Sequence, residues 1–200
     1  MLITVSVVVG FKSEIEQKIT GFSAPIQVTG EFLNTSYENK ALENSAELRQ
    51  TIQDFHFVKK IQPFALKPSI IKFEEDFEGI VLKGITKDFD VDFFSSCLTK
   101  GRFITFEQEG QTKEIVLSNT IADKLNIDTG DYCQLWFVQE PPLIKKLKVV
   151  GIYQTDIEEV DAHFVLSDLS IIQQINGWEE SQVGGLEVLL HDLDFDLLPD

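Results

Sequence analysis

The sequence predicts an α+β fold, and three observations carry that prediction. The first ninety residues give a β-α-β-β pattern. The next ninety are richer in short strands. A last alternating strand, Val183 to Leu190, then returns after a helix that stops at Asn176-Gly177. Taken in order, Ile26 to Phe32 alternates and predicts a strand, and the polar run Asn34 to Asn44 predicts a loop. Ser45 caps a helix whose Leu48, Ile52 and Phe55 fall at i, i+4 and i+7. Val58 to Phe73 is rich in Ile, Phe and Val but contains Pro63 and Pro68. Proline cannot donate to a ladder, so this segment predicts an edge strand or two strands with a bend. Gly79 to Ile85 is another apolar strand.

Further along, Asp92 to Leu98 predicts a short helix or turn. Gly101 to Phe106 and Thr112 to Leu117 predict a hairpin around Glu109-Gly110. Ser118 caps a helix with Ile121, Ala122 and Leu125 inward, and Asp128-Thr129-Gly130-Asp131 makes a turn. Tyr132 to Val138 and Lys145 to Tyr153 are strands joined through Gln139-Glu140-Pro141-Pro142. An acidic turn, a short strand and a helix capped at Ser167 follow. Within Tyr132 to Val138, Cys133, Leu135 and Phe137 share one face. In the last strand Leu186, Val188 and Leu190 do the same.

At the N-terminus, Met1 to Val9 is uncharged and mostly apolar, shorter than the roughly 17 to 25 residues of a membrane span. It has neither the basic n-region nor the cleavage site of a signal peptide. Phe11, Ile15 and Ile19 then share a helical face, Glu14 precedes Lys18 by four residues, and Gly21 is placed as a C-cap. Two readings fit these residues equally: the end of a membrane helix over residues 1 to 10, or an ordinary buried helix. At the other end, the stop at Asp200 soon after a strand leads us to expect an incomplete C-terminal half.

Composition narrows the function classes. Lys plus Arg number 17 against 33 Asp plus Glu, a net charge of −16. Nucleic acid is not an expected partner, because phosphate binding needs a basic face. With 43% apolar residues and 16 Phe, the chain can bury a core. Cys97 and Cys133 make no disulfide framework, and two buried thiols are expected rather than a pair.

No catalytic, cofactor or metal motif is found. Gly79 and Gly84 have phosphate-loop spacing, but Ile85-Thr86 follows where Lys-Ser would be needed. The acidic alternation at Asp88, Asp90 and Asp92 fails as a calcium loop at Phe93 and Thr99, and Asp192, Asp194 and Asp196 fail at Leu197. His56, His163 and His191 are isolated, with His56 placed at a helix end. The carboxylates Asp156, Glu158, Glu159 and Asp161 read as a solvated turn. No enzyme activity is expected.

Several motifs in order carry a resemblance: Gly10-Phe11-Lys12-Ser13-Glu14-Ile15, Gly21-Phe22-Ser23-Ala24-Pro25, Gly101-Arg102-Phe103, Gly130-Asp131, Gly151-Ile152-Tyr153, Glu159-Val160-Asp161 and Gly184-Gly185-Leu186. In their order and spacing the chain resembles the extracytoplasmic domain of a lipoprotein-releasing ABC-transporter permease, the LolC/LolE type, within the MacB/FtsX-like permease superfamily. The resemblance implies a porter-like βαβ subdomain with an inserted β-rich lobe, preceded by the tail of a transmembrane helix. It places residues 1–22 as helix end and connector, 23–90 plus 180–200 as the porter-like part, and 91–179 as the inserted lobe. It tips the N-terminal reading toward the membrane helix.

The implied role is to couple motion driven by a cytoplasmic ATPase subunit to lipoprotein release, or to export of another envelope substrate. A second permease copy, identical or not, would complete the transporter in the inner membrane, with this domain facing the periplasm. Relatives that grip a periplasmic carrier use an extended loop in the inserted lobe. Here the link is only Gln139 to Ile144, which argues against carrier capture. Trp136, Phe137, Pro141 and Pro142 are the expected partner contacts. The competing expectation is an acidic binding or adhesion module without a transport role.

Overall fold

The computed structural model describes residues 22–30, 37–106 and 112–191. Their strands are β1 (Ile26–Thr29), β2 (Leu42–Glu43), β3 (Val58–Phe73), β4 (Asp76–Ile85), β5 (Leu98–Gly101), β6 (Glu114–Ser118), β7 (Tyr132–Phe137), β8 (Leu143–Tyr153), β9 (Phe164–Asp168), β10 (Gln182–Val183) and β11 (Gly185–Leu190). The helices are α1 (Ala46–Gln53), α2 (Asp92–Cys97), α3 (Asn119–Leu125), α4 (Glu158–His163) and α5 (Leu169–Asn176). The α+β class follows directly.

The 16-residue strand β3 organises the molecule. Its first half, Val58 to Phe64, pairs with β11, which pairs with β1, giving a three-stranded antiparallel sheet. Its second half, Ala65 to Phe73, pairs with β4. From there the ladder runs β4–β9–β6–β8–β7 and returns to β3 at Ile70 to Lys72. Six strands thus close into a small barrel, which leaves no free edges around that ring.

β3 is one continuous strand rather than an edge or a broken pair, and the prolines explain how. The Phe64 carbonyl accepts from Gly184 N at 2.8 Å, so even-numbered residues face the β11 side. On that side Leu66 N donates to Asn39 Oδ1 at 2.7 Å, and Pro68 fills the next place before β7 begins at Ile70. Pro63 faces the opposite side, where β4 does not begin to pair until Ala65. Each proline therefore occupies a position where no ladder asks for an N–H.

Two buried clusters fill the fold. One joins the barrel interior (Ile71, Leu82, Ile115, Leu117, Leu135, Val149) to the apolar sides of α1, α3, α5 and the three-stranded sheet. The other lies on the outer side of β4, β6, β8 and β9 and is built on aromatics. Phe94 is its hub, with Phe89, Phe93, Phe103, Tyr153 and Phe22 at ring-centroid distances of 5.3 to 6.3 Å. Much of the Phe-rich composition is used here, where edge-to-face pairs add to burial.

Local signals place the helices. Ser45 Oγ accepts from Leu48 N, Ser118 Oγ accepts from Ile121 N, and Asn126 and Gly177 end α3 and α5 in left-handed conformations. Gly84 brings α5 close to β4: a Cβ there would sit 2.8 Å from the Leu169 Cα. Gly79 has nothing within 4 Å.

Several expectations are corrected. Gly101 to Phe106 does not pair with Thr112 to Leu117 as a hairpin: β5 ends at Gly101, residues 102–106 are not a strand, and β5 and β6 both pair with β8, β5 antiparallel and β6 parallel. Arg102 N donates to Val150 O, continuing the contact of β5 with β8. β2 lies in the expected loop and pairs with β10. A helix, α4, occupies the expected acidic turn, and α5 is capped by Asp168 rather than Ser167, which lies in β9. His56 follows α1 in a turn and stacks edge-on against Phe57. Cys133 is buried and Cys97 half-buried, and they are not bonded to each other.

Pairing also crosses residue 90, because β4 and half of β3 join the barrel. The readings for residues 1–21, for the Glu109-Gly110 turn and for Asp192 to Asp200 lie outside the described residues. Among the described residues no helix is long and apolar enough to cross a membrane.

Candidate functional site

The three-stranded sheet meets the barrel around one buried ion pair. Lys83 of β4 and Glu187 of β11 lie 2.7 Å apart with side chains 2% and 1% exposed. A buried charge is tolerated only if it is paired and its remaining hydrogen-bonding capacity is used. Lys83 Nζ also donates to the Phe22 carbonyl at 2.6 Å and lies 4.7 Å from the Phe22 ring centroid. Phe64 and Phe89 stand at 5.8 and 5.5 Å from the same nitrogen.

Glu187 Oε2 accepts from Gln62 at 2.9 Å, and Oε1 accepts from Gln27 at 3.3 Å. Gln27, Glu187 and Gln62 are direct cross-strand neighbours on β1, β11 and β3. Gln62 Oε1 in turn accepts from Asp90 N. One connected polar network therefore joins Phe22, the three-stranded sheet, the barrel and the turn after β4.

A second buried carboxylate organises the loop after β8. Asp161 accepts from Thr155 N, Thr155 Oγ1 and Asp156 N at 2.8 to 3.2 Å. Its backbone carbonyl accepts from Ser118 Oγ. The expectation of a solvated turn fails at this residue, because four nearby donors compensate its burial. The Tyr153 hydroxyl donates to Phe164 O at 2.8 Å, and burial, with the Asp161 charge next, raises its pKa well above the usual phenol value. Burial likewise pushes the Cys133 thiol up to about 12, so it is not a nucleophile at neutral pH.

The four expected contact residues do not stay together. Trp136 points outward from β7 and is 39% exposed. Pro141 and Pro142 are exposed in the β7–β8 link, next to Val138. Phe137 is 1% exposed inside the barrel core, so it supports the strand from within and does not face a partner. Strand alternation dictates this split.

Sequence reasoning missed Lys83 and Glu187, and it placed Asp161 in solvent. A signal existed for Lys83: it is the lone charge inside the apolar run Ile80 to Ile85. For Glu187 the alternation with Leu186 and Val188 implied solvent on its face, where the barrel packs instead.

Comparison with known proteins bears on identity. Residues 1–192 match the family described as MacB-like periplasmic core domain. An uncharacterized ABC transporter permease of Bacillus subtilis (strain 168), YclI, is 32% identical over 89 residues, 44% of this chain and 18% of that protein. This chain thus matches under a fifth of that relative's length. Among solved structures, the extracellular domain of the noncanonic ABC-type transporter YknZ from Gram-positive bacteria superposes with a TM-score of 0.54 at 16% identity, covering 84% of this chain and 86% of that one. The periplasmic region of MacB from Actinobacillus actinomycetemcomitans gives 0.52 at 15%, covering 84% and 74%. At such identities these likenesses speak for the fold alone. With the family match spanning nearly the whole sequence, the chain belongs to the MacB-like periplasmic core domain family.

Proposed function

We propose that this chain is the periplasm-facing domain of an ABC transporter permease, a non-catalytic part that passes motion from a cytoplasmic ATPase subunit to an envelope substrate. The observation that carries this reading is the Lys83–Glu187 network. It binds the Phe22 carbonyl, where the chain arrives from residues 1–21, to both sheets at once. A rigid, desolvated joint passes displacement on rather than absorbing it. Family membership supports a second permease copy and a place in the inner membrane. Lipoprotein release, or export of another envelope substrate, is the finer proposal. The short β7–β8 link offers little to a periplasmic carrier. Trp136, Pro141 and Pro142 are the contacts proposed for a partner or substrate.

The test uses the full-length permease, reconstituted with its ATPase. Substituting both Lys83→Met and Glu187→Leu keeps the joint packed while removing its charge-assisted bonds. Coupling through the joint predicts continued ATP hydrolysis with substrate release reduced several-fold. Unchanged release per ATP in a folded double variant would rule the joint out as the transmission point.

A further inference from the structure

The outer face of the barrel across β3, β7 and β8 differs from the rest of this acidic chain. Trp136 lies directly opposite Ile70 on β3 and Ile144 on β8, so one row is apolar and exposed. In the next row Gln134 lies between Lys72 and Lys146, and one step further Tyr132 faces Lys148. The Lys146 and Lys148 ammonium groups stand 5.1 and 6.0 Å from the Tyr132 ring centroid. Glu114 of β6 lies opposite Lys148 and ends that row in a carboxylate, whereas the row of Lys72, Gln134 and Lys146 pairs with none. Among the described residues, neither Lys72 nor Lys146 forms an ion pair with a carboxylate. Phe77, exposed on β4, extends the face beside Lys72.

We infer that this face docks an acidic polypeptide segment in which carboxylates alternate with apolar side chains. The inference deepens the proposed function by naming the chemistry of the partner for the lobe that carries Trp136. Charge complementarity argues for it. On a chain of net charge −16, Lys72 and Lys146 stand beside one apolar row with no carboxylate paired to them, which favours an anionic segment there. Successive rows on one face of a strand are about 7 Å apart, the spacing of alternate side chains on an extended partner. Trp136, Ile70 and Ile144 supply apolar area at the centre, with the lysines along one side, as in interfaces whose aromatic anchors are bordered by charge. An anionic bilayer fits less well, because the remaining surface carries the acidic excess toward it.

The experiment uses the full chain carrying Trp178→Phe, which leaves Trp136 as the single tryptophan. The probe is a synthetic peptide alternating glutamate with leucine. Titration should shift Trp136 emission to shorter wavelength and saturate. Raising salt from about 0.05 to about 0.5 M, which shortens the screening length severalfold, should weaken binding at least tenfold. The triple variant Lys72→Glu, Lys146→Glu, Lys148→Glu should lose at least tenfold in affinity while its far-UV circular dichroism stays unchanged. A lysine–leucine peptide should not saturate. The inference is overturned if the acidic peptide gives no saturable shift, or if the charge-reversed variant binds it equally. Preference for phosphatidylglycerol vesicles over the peptide overturns it as well. None of these readouts involves transport, so failure here leaves the coupling role standing, and failure of coupling leaves this result standing.

Discussion

Lys83 and the lysines of the outer barrel face are the same residue type put to opposite uses. Lys83 is withdrawn from water and bonded inside the protein, to Glu187 and to the Phe22 carbonyl, with the Phe22 ring 4.7 Å from its nitrogen. Lys146 and Lys148 keep their ammonium groups at the surface over the Tyr132 ring, beside an apolar row that nothing in the chain's described residues covers. A charge paid for by internal partners fixes geometry, while a charge left in water beside apolar surface is available to a partner. The joint between the sheets should therefore be sensitive to mutation in stability, and the outer face in binding.

The largest expected effect breaks the joint. Lys83→Met alone strands a buried carboxylate and is expected to cost about 3–5 kcal/mol in urea unfolding. Pairing it with Glu187→Leu should recover part of that loss, because both buried charges are gone while the Gln62 amide and the Phe22 carbonyl lose their partners. Additive losses in the double variant would mean that the two side chains are not coupled. Asp161→Ala comes next. It removes the acceptor for Thr155 N, Thr155 Oγ1 and Asp156 N and is expected to cost about 2–3 kcal/mol. Hydrogen exchange of the Thr155 and Asp156 amides should rise before global unfolding. Unchanged protection there would show that α4 holds the loop by other means.

The same contrast explains what was legible in the sequence. Ser45, Ser118 and Gly177 act on donors or acceptors within a few residues, so α1, α3 and the end of α5 could be read directly. The inward direction of Phe137 was readable too, because it shares a face with Cys133 and Leu135. A contact role for Phe137 beside Trp136 is at odds with that alternation. Partner choice among strands was not readable. Gly101 to Phe106 has hairpin chemistry toward residue 112, yet the Arg102 amide bonds to Val150, some fifty residues away. Likewise Asp161 looks like any acidic turn residue until Thr155 and Ser118 fold around it. The exposed row of Ile70, Trp136 and Ile144 exists only because β7 bridges β3 and β8 to close the barrel.

On the outer face the comparison predicts small stability effects. Trp136→Ala should cost about 1–2 kcal/mol, less than breaking the joint, since the residue is 39% exposed. A loss of several kcal/mol would mean that Trp136 holds β7 against β3 and β8, and that the face is structural.

The smallest effect tests a case between the two extremes. Arg102 clasps Glu114 through both guanidinium nitrogens, with Nη1 2.8 Å from Oε2, and the pair is only partly withdrawn from solvent. The hydrogen bond from Arg102, helped by the Thr105 amide and the Arg102 and Lys148 charges, lowers the Glu114 pKa below its usual 4.5, against an opposing push from burial. A carboxylate whose folded pKa is depressed adds stability above its unfolded value and loses it as pH falls through the folded one. The contribution should thus be complete at neutral pH and fade below about pH 4. Solvent screening holds it under about 1 kcal/mol. Unfolding of the parent chain and of Glu114→Gln should differ by that amount at pH 7 and converge in acid. A difference that persists unchanged to pH 2 would place the effect in packing rather than charge.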